Sequence, residues 1–502
     1  MGEIYKIEEN FIKYIQNKMS SLSPEQQYAF EKFKQGENIF ITGPGGTGKT
    51  RLIHDIVEYM NLRGTRFQVC AMTGCAAVLL GKCKAKTLHS WSGIRLASGP
   101  PDKIVHSVLR NKYAIKEWNS VKVLIVDEVS MMSRKIFDIL DKIGKSVKTN
   151  PKPFGGIQVI FTGDFYQLPP VDKVGEMESS QFCFESERWF TVFPLKNHIE
   201  LKTMFRQSDP VYINILSQIR KGEIDTNSIE ILKKYVNREF ISQDGLKPTK
   251  LFSVRNKTDF VNKSQYDKIE EPEISFDMKT HTDCMIYMDT KKTISTEDMK
   301  KCSNLKSVEV EIQIEKIMES RNISQKLALK KGVIVMCTAN IDMENSICNG
   351  SQGVVVDFEI GTKIPIVAFS NGIKKRVDYE FFQSQDYPTI CIGQIPLCLA
   401  WALTIHKIQG ASLNIADMDL GNTIFEYGQT YVALSRVKSL EGLYLSAFNP
   451  TRIRANPLVA DFYSKIPAPE SIDYTSKTTN IFQSFGLEPE EYVDTTIKRV
   501  KL

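Results

Sequence analysis

Four apolar runs in the first third of the chain share one shape. "ENIFITG", "RFQVCAMTG", "VKVLIVDE" and "IQVIFTGD" each have a short centre rich in β-branched and aromatic residues, and each stops at a glycine or an acid. That composition and length predict buried strands, and the longer stretches between them predict helices. Strand and helix in alternation give a parallel sheet covered by helices, whose ligands gather at the carboxyl ends of the strands. A second α/β block begins near "NHIELKTMFRQSD" and is interrupted from about Glu271 to Cys391. There "SVEVEIQIEKI" alternates, with Val308, Val310, Ile312 and Ile314 against Glu309, Glu311 and Gln313, which predicts a strand. Asn371-Gly372 in "IPIVAFSNGIKKRVD" predicts a hairpin turn, so the interruption is expected to be a small antiparallel β module. The α/β texture returns at "LAWALTIHKIQG" and runs to about Ala447, and the polar, Pro/Ser/Thr-rich stretch after Phe462 predicts a loosely packed tail.

At 502 residues the chain is too long for one core and needs several domains. Its 42% hydrophobic and 25% charged residues are ordinary for a globular protein, and a net charge of +6 permits a polyanionic partner without requiring one. Ten cysteines with no C-x-x-C pair argue against a disulfide framework or a zinc site and predict reduced thiols in an intracellular compartment. The acidic start "MGEIYKIEEN" has no apolar targeting core, and "IPLCLAWALTI" is too short to span a bilayer, so no membrane association is expected. The terminal "KRVKL" could serve as a nuclear address but reads first as a solvated tail.

"GPGGTGKT" fills the pattern G-x-x-x-x-G-K-[ST] between a predicted strand and a predicted helix, where that pattern binds phosphate. The loop of Gly43, Pro44, Gly45, Gly46, Thr47 and Gly48 wraps a nucleotide with the N–H groups of its residues other than proline, Lys49 reaches the outer phosphates, and the Thr50 hydroxyl can hold Mg²⁺. The strand "VKVLIVDE" ends in Asp127, suited to the metal's shell, and Glu128, suited to orienting or deprotonating a water. Gln167 follows the next strand, braced by Pro169 and Pro170. An amide there can donate to a γ-phosphate and accept from the attacking water, which makes it a candidate sensor of the third phosphate.

Taken in order, "LSPEQQYAF", "GPGGTGKT", "TGCAA", "TLHSWSGI", "VDEVSMM", "PFGGIQVIFTGDFYQLPPV", "MFRQSD", "LTIHKIQGASL" and "YVALSRVKSLEGLYL" resemble the PIF-type DNA helicases of superfamily 1B over about residues 20 to 447. The resemblance implies an ATP- and Mg²⁺-dependent motor that moves 5′ to 3′ on single-stranded DNA and unwinds 5′-tailed duplexes as well as G-quadruplexes. It implies work in replication, repair, recombination or telomere maintenance, by a monomeric motor. Gln26 matches the family's adenine-reading glutamine, and Arg206 and Arg436 its two γ-phosphate arginines. Gln409 and Gly410 match residues that touch the nucleotide side of the cleft. Thr73, Gly74, Thr87, His89 and Trp91 on one domain, with Thr404, His406 and Lys407 on the other, match its DNA track. Ile408 in "KIQG" and the turn "SICNGSQG" depart from the family's usual residues without removing a proposed catalytic group.

The implied fold is α/β, with two RecA-like P-loop NTPase domains, parallel sheets flanked by helices, a small wedge insertion and an SH3-like β insertion. The expected boundaries are an N-terminal extension over 1–20 and a first domain over 21–193 with the wedge at about 94–118. The second domain is expected over 194–270 and 396–462, the β module over 271–395, and a tail over 463–502. Two other readings stay open: a translocase that remodels protein–DNA complexes or acts on RNA–DNA hybrids without productive unwinding, and a nucleotide-dependent DNA clamp. The full set Lys49, Asp127, Glu128, Gln167, Arg206 and Arg436 argues against an inactive clamp.

Overall fold

Successive residues of the "VLIVD" run go to opposite faces: Leu124 and Val126 enter one apolar layer and Val123 and Ile125 another. Both faces are buried, as a parallel sheet between two helix layers requires. In the computed structural model the described residues are 21–467, apart from 74–75, 78–79, 81–82, 96, 172–176, 241–247, 282–304, 322, 340, 343–344, 346, 348–350, 385–386, 388, 411 and 414. The first sheet has strands β1 (Ile39–Thr42), β2 (Phe67–Ala71), β3 (Lys86–Thr87), β4 (Val123–Asp127), β5 (Gln158–Thr162) and β6 (His198–Glu200). Their order is β3-β2-β4-β5-β1-β6, and every pairing is parallel.

Helices α1 (Pro24–Lys34) and α2 (Lys49–Leu62) cover one face of this sheet. The other is covered by α3 (Leu88–Ser92), α4 (Pro101–Arg110), α5 (Lys112–Ser120) and α6 (Arg134–Lys148). The segment expected as a wedge is therefore chiefly the helical pair α4 and α5, seated on the first domain through Ile104, Val105, Val108, Ala114 and Trp118.

A second parallel sheet holds β7 (Thr249–Phe252), β8 (Ala402–Thr404), β9 (Ala416–Leu420) and β10 (Leu443–Phe448) in the order β8-β7-β9-β10. Helix α7 (Pro210–Arg220) and helix α9 (Gln429–Leu434) pack on it through Tyr212, Ile215, Ile219, Tyr431 and Val432. The chain between β7 and β8 builds a five-stranded antiparallel sheet from 334–337, 352–358, 365–369, 374–376 and 397–399, two smaller sheets, and helix α8 (Ser307–Arg321). Gly372, at φ 85°, turns the hairpin between Pro365–Phe369 and Lys374–Arg376. The described part ends on helix α10 (Pro457–Ser464).

Four expectations are corrected. The run from Val308 to Ile314 lies in helix α8, not in a strand. Val310, Gln313, Ile314, Ile317 and Met318 are also spaced three and four apart, and this set is turned inward while Val308 and Ile312 are exposed. The first domain does not stop at 193, because β6 pairs with β1. The β module extends past 395, because Leu397–Leu399 pairs with Ile334–Cys337. Nor does the second domain end in a free tail at 463: Val459 and Phe462 of α10 sit in the first domain's core, with Phe462 stacked on Phe184 at 4.3 Å. The expected 1–20 extension and the tail from 468 lie outside the described residues.

The turn Pro153–Gly156 shows why two glycines lead into β5. Fully buried Asp141 of α6 accepts from Phe154 N at 2.8 Å, Lys145 Nζ at 2.6 Å and Arg188 Nη1 at 3.1 Å. This fixes a turn with φ of 49° at Phe154, 68° at Gly155 and 82° at Gly156. A Cβ on Gly155 would lie 2.2 Å from Gly144 O, and one on Gly144 would lie 2.6 Å from Phe154 O, so helix and turn touch backbone to backbone. Gly155→Ala is expected to cost about 3 kcal/mol from strain and backbone displacement. Denaturant unfolding checks it, and a wild-type midpoint would contradict the close approach.

Candidate nucleotide and DNA sites

Both candidate sites sit at the carboxyl ends of parallel strands. The loop between β1 and α2 has Gly43 at φ 136°, Gly46 at 100° and Gly48 at 82°, which side chains resist. Its space is also tight: a Cβ on Gly46 would lie 2.7 Å from Arg206 Cβ, and one on Gly48 would lie 2.6 Å from Gln26 Nε2. Lys49 Nζ donates to Gly43 O at 2.6 Å and Pro44 O at 3.0 Å, closing the loop on itself. Burial pulls the Lys49 ammonium below its ordinary range, opposed by Asp164, Glu128 and Asp127. Thr47 is buried and donates to Pro44 O at 2.9 Å, while Thr50 is exposed on the first turn of α2.

Asp127 closes β4 and accepts from Thr162 Oγ1 and from Glu128 N, both on its Oδ1. Glu128 has a left-handed backbone, φ 57°, that turns it away from the strand direction. Its Oε2 accepts from Gln409 Nε2 at 3.1 Å, a contact between the first and second domains. Burial raises both carboxyls above their ordinary range, and the neighbouring Asp127 charge raises Glu128 further. Gln167 is buried against the second domain, and a Cβ on Gly428 would lie 2.8 Å from Gln167 O. The Oε1 atoms of Gln167 and Gln409 are buried with no protein partner.

Arg206 Nη1 donates to Ser435 O at 3.2 Å. Arg436 is 1% exposed and donates from Nε to Val432 O at 2.8 Å and from Nη2 to Ser435 Oγ at 2.7 Å. A Cβ on Gly45 would lie 3.7 Å from Arg436 Nη2, so this arginine reaches the phosphate loop. Burial, then the charge of Arg206, lowers Arg436 to about 10, and burial lowers Arg206 as well. Gln26 is committed within the protein: its Oε1 accepts from Ser23 N at 3.1 Å as part of the α1 capping box, and its Nε2 donates to Thr47 O at 3.3 Å. Gly410 follows Gln409 at φ 85°.

Sequence reasoning missed several partners. Tyr431 OH on α9 accepts from Gly45 N at 2.9 Å. Phe205 places a ring that is 57% exposed within 3.3 Å of the Gly48 Cβ direction. Arg220, at the end of α7, grips Asp164 from Nε at 3.0 Å and Nη2 at 3.0 Å, and Glu200 from Nη1 at 3.1 Å. Only Phe205 had a local signal, its place beside Arg206; the others come from far along the chain.

The expected DNA contacts divide. Thr73 follows β2, where its Oγ1 caps Ala76 N at 3.1 Å, and Thr87 ends β3 and caps Ser90 N at 3.3 Å. His89 is partly buried on α3. Thr404 ends β8, and His406 beyond it stacks on the exposed ring of Phe425 at 6.5 Å, with burial lowering its pKa. These groups lie at one edge of each sheet, on the edge strand β3 and its neighbour β2 in one and on the edge strand β8 in the other. Trp91 is corrected: it is 2% exposed and packs on Trp118 at 4.7 Å, so it belongs to the core. Gly74 and the Lys407 side chain lie outside the described residues.

The loop's tight cradle fits a bound triphosphate, and the two orphaned amide oxygens, which can only accept, fit a hydrogen-bond donor such as a water beside it. The family model "PIF1-like helicase" matches residues 21–230, and "DNA helicase Pif1, 2B domain" matches 315–358. The chain is 32% identical over 463 residues to the ATP-dependent DNA helicase PIF1 of Xenopus laevis, covering 91% of this chain and 66% of that protein. It thus spans just under two thirds of that relative's length. The crystal structure of Pif1 helicase from Candida albicans superposes with a TM-score of 0.72 at 31% identity, covering 89% of this chain and 99% of that one. The Pif1 helicase from Bacteroides in complex with ADP-AlF3 and single-stranded DNA superposes with a TM-score of 0.62 at 25% identity, covering 88% and 96%.

The Gln409–Glu128 bond favours the charged carboxylate, against burial and Asp127, which favour the neutral acid. If Glu128 must be ionised for turnover, the acid limb of the kcat–pH profile of ATP hydrolysis lies above the ordinary glutamate range. Gln409→Leu is expected to move that limb to higher pH whatever it does to the plateau; an unmoved limb would remove Gln409 from control of Glu128.

Proposed function

The chain belongs to the PIF1-like helicase family, and from that premise we propose that it is an ATP-dependent motor that moves 5′ to 3′ on single-stranded DNA and separates duplex strands. The observation that carries this reading is the contact across the cleft: Glu128 and Gly45 of the first domain bond Gln409 and Tyr431 of the second. Anything that changes charge or geometry at the phosphate loop is therefore felt by both domains. All these groups come from one chain, so the motor needs no second copy to complete its site.

In this reading the triphosphate draws Lys49 from its two carbonyl partners, and backbone N–H groups of the loop receive the phosphates. Thr50 and Asp127 would hold Mg²⁺, which neutralises phosphate charge. Glu128 orients the attacking water and accepts its proton, and Gln167 offers an unpaired amide oxygen to the same water. Arg206 and Arg436 receive the charge that grows on the transferred phosphoryl group. Phe205 gives the adenine an apolar face beside Gln26, whose amide must be shared with the helix cap it already makes. Thr73, Thr87 and His89 on one domain and Thr404 and His406 on the other grip the DNA backbone and stack on its bases, so closing the cleft changes the spacing of two grips.

Strand displacement on 5′-tailed, 3′-tailed, RNA-containing and G-quadruplex substrates tests the proposal. Activity is expected on 5′-tailed DNA and little on the 3′-tailed form, with ATP hydrolysis stimulated by single-stranded DNA. The reverse polarity would overturn the proposal, and stimulation without strand separation would make the protein a translocase. Arg436→Ala is expected to lower single-turnover hydrolysis by as much as about 10³-fold while ATP still binds. Hydrolysis within about twofold of wild type would remove Arg436 from the transition state.

A further inference from the structure

Tyr463 lies on α10, at the far end of the described chain, yet its hydroxyl sits where the first domain's nucleotide edge is built. Thr42, the last residue of β1 before the phosphate loop, contacts it at 2.5 Å; Phe165 N lies 3.1 Å away and Asp164 Oδ1 3.2 Å. The hydrogen bonds resolve in one way. The Asp164 carboxylate, paired with Arg220, accepts only, so the Tyr463 hydroxyl donates to it and accepts from Phe165 N–H and Thr42 O–H. The same Asp164 Oδ1 caps the turn that follows, accepting from Tyr166 N at 3.3 Å, while Gln167 N donates to Asp164 O at 2.9 Å. The Tyr463 ring stacks on Tyr166 at 4.7 Å, and the Arg220 guanidinium lies 4.8 Å from the Tyr166 centroid and 5.2 Å from that of Tyr463. Phe462 and Val459 hold α10 in place from the apolar side.

We propose that Tyr463 is a positioning residue for ATP hydrolysis: through Asp164 it fixes the turn that carries Gln167 to the strand end that carries the phosphate loop, and holds Arg220 of the second domain against both. Tyr463 does not touch the reacting atoms. It ties together three segments that are distant in sequence and that must keep sub-ångström register for Gln167 to meet the γ-phosphate and water. Helix α10 thereby acts as a strap that returns from the second domain's sheet to the first domain's catalytic edge. This inference deepens the proposed ATP-driven function and rests on it.

The test is Tyr463→Phe, which keeps the ring and removes the hydroxyl, in the full chain with single-stranded DNA present. We expect kcat of ATP hydrolysis to fall about tenfold while KM for ATP stays within about twofold and the melting temperature is unchanged. In a cycle with Asp164→Asn, the two losses are expected not to multiply, since Tyr463 works through Asp164. Wild-type kcat in Tyr463→Phe, or losses that multiply fully, would overturn the proposal. If Tyr463→Phe melts early, Thr42→Val removes the same link from inside β1; a kcat loss there supports the proposal and wild-type kcat overturns it. Wild-type protein without DNA-stimulated hydrolysis would instead sink the ATP-driven reading itself, which keeps the two failures distinct.

Discussion

Arg220 is a charge buried on one domain whose counter-charges belong to the other. It is 6% exposed, and Asp164 and Glu200, which neutralise it, sit at the ends of β5 and β6. A guanidinium removed from water this far is tolerable only while its fork is filled, so removing either acid while the domains stay together would leave a buried charge uncompensated. The two domains are therefore tied together near the strand ends, beside the nucleotide loop. Around that point the domains meet through single hydrogen bonds, Glu128–Gln409 and Gly45–Tyr431, rather than through paired charges.

Close backbone approach is the second constraint, and it explains where glycine stands. At Gly43 a Cβ would lie 2.3 Å from Leu201 O, and at Gly155 it would lie 2.2 Å from Gly144 O. The first contact sets the phosphate loop against the strand β6 exit; the second sets the entry of β5 against α6. Together they fix both ends of the pair of strands from which Lys49, Asp164 and Gln167 depart, so the loop geometry follows from backbone packing rather than from the side chains that face the ligand.

The phosphate loop, the Asp127-Glu128 pair and Gln167 were legible because each is a short local pattern at a strand end. Four strands of the first parallel sheet were legible for the same reason, as runs of apolar residues with punctuation, whereas the second sheet was read only as a general α/β texture and from the family resemblance. What stayed hidden depends on chain segments that meet only in three dimensions. Nothing in "QTYVALSR" points Tyr431 at Gly45, and nothing near Tyr463 announces Asp164. Trp91, beside His89 in a polar turn, looked like a stacking surface until Trp118 covered it. The alternation from Val308 to Ile314 fits two periods at once, and the choice between them was made by Gln313 and Ile317, whose burial is a tertiary fact.

The arginines of the cleft separate by how their charge is met. For Arg220, burial alone would weaken the proton's hold, but Asp164 and Glu200 more than reverse this and its pKa rises. For Arg206 and Arg436 burial prevails: the Glu128 carboxylate opposes it without reversing it, and Arg436 also feels the positive charge of Arg206, while carbonyl and hydroxyl oxygens hold the two forks. Two desolvated cations held close together beside a phosphate loop are an unfavourable arrangement in the protein alone, and an anion placed between them relieves it. Neutral carbonyl partners hold the forks in position without quenching them, so the field stays available for charge that arrives with the ligand and grows during reaction. On this argument Arg220 is neutralised where it stands and ties the two domains together, whereas Arg206 and Arg436 keep charge that burial disfavours, which in the proposed function is the charge a bound polyphosphate would meet.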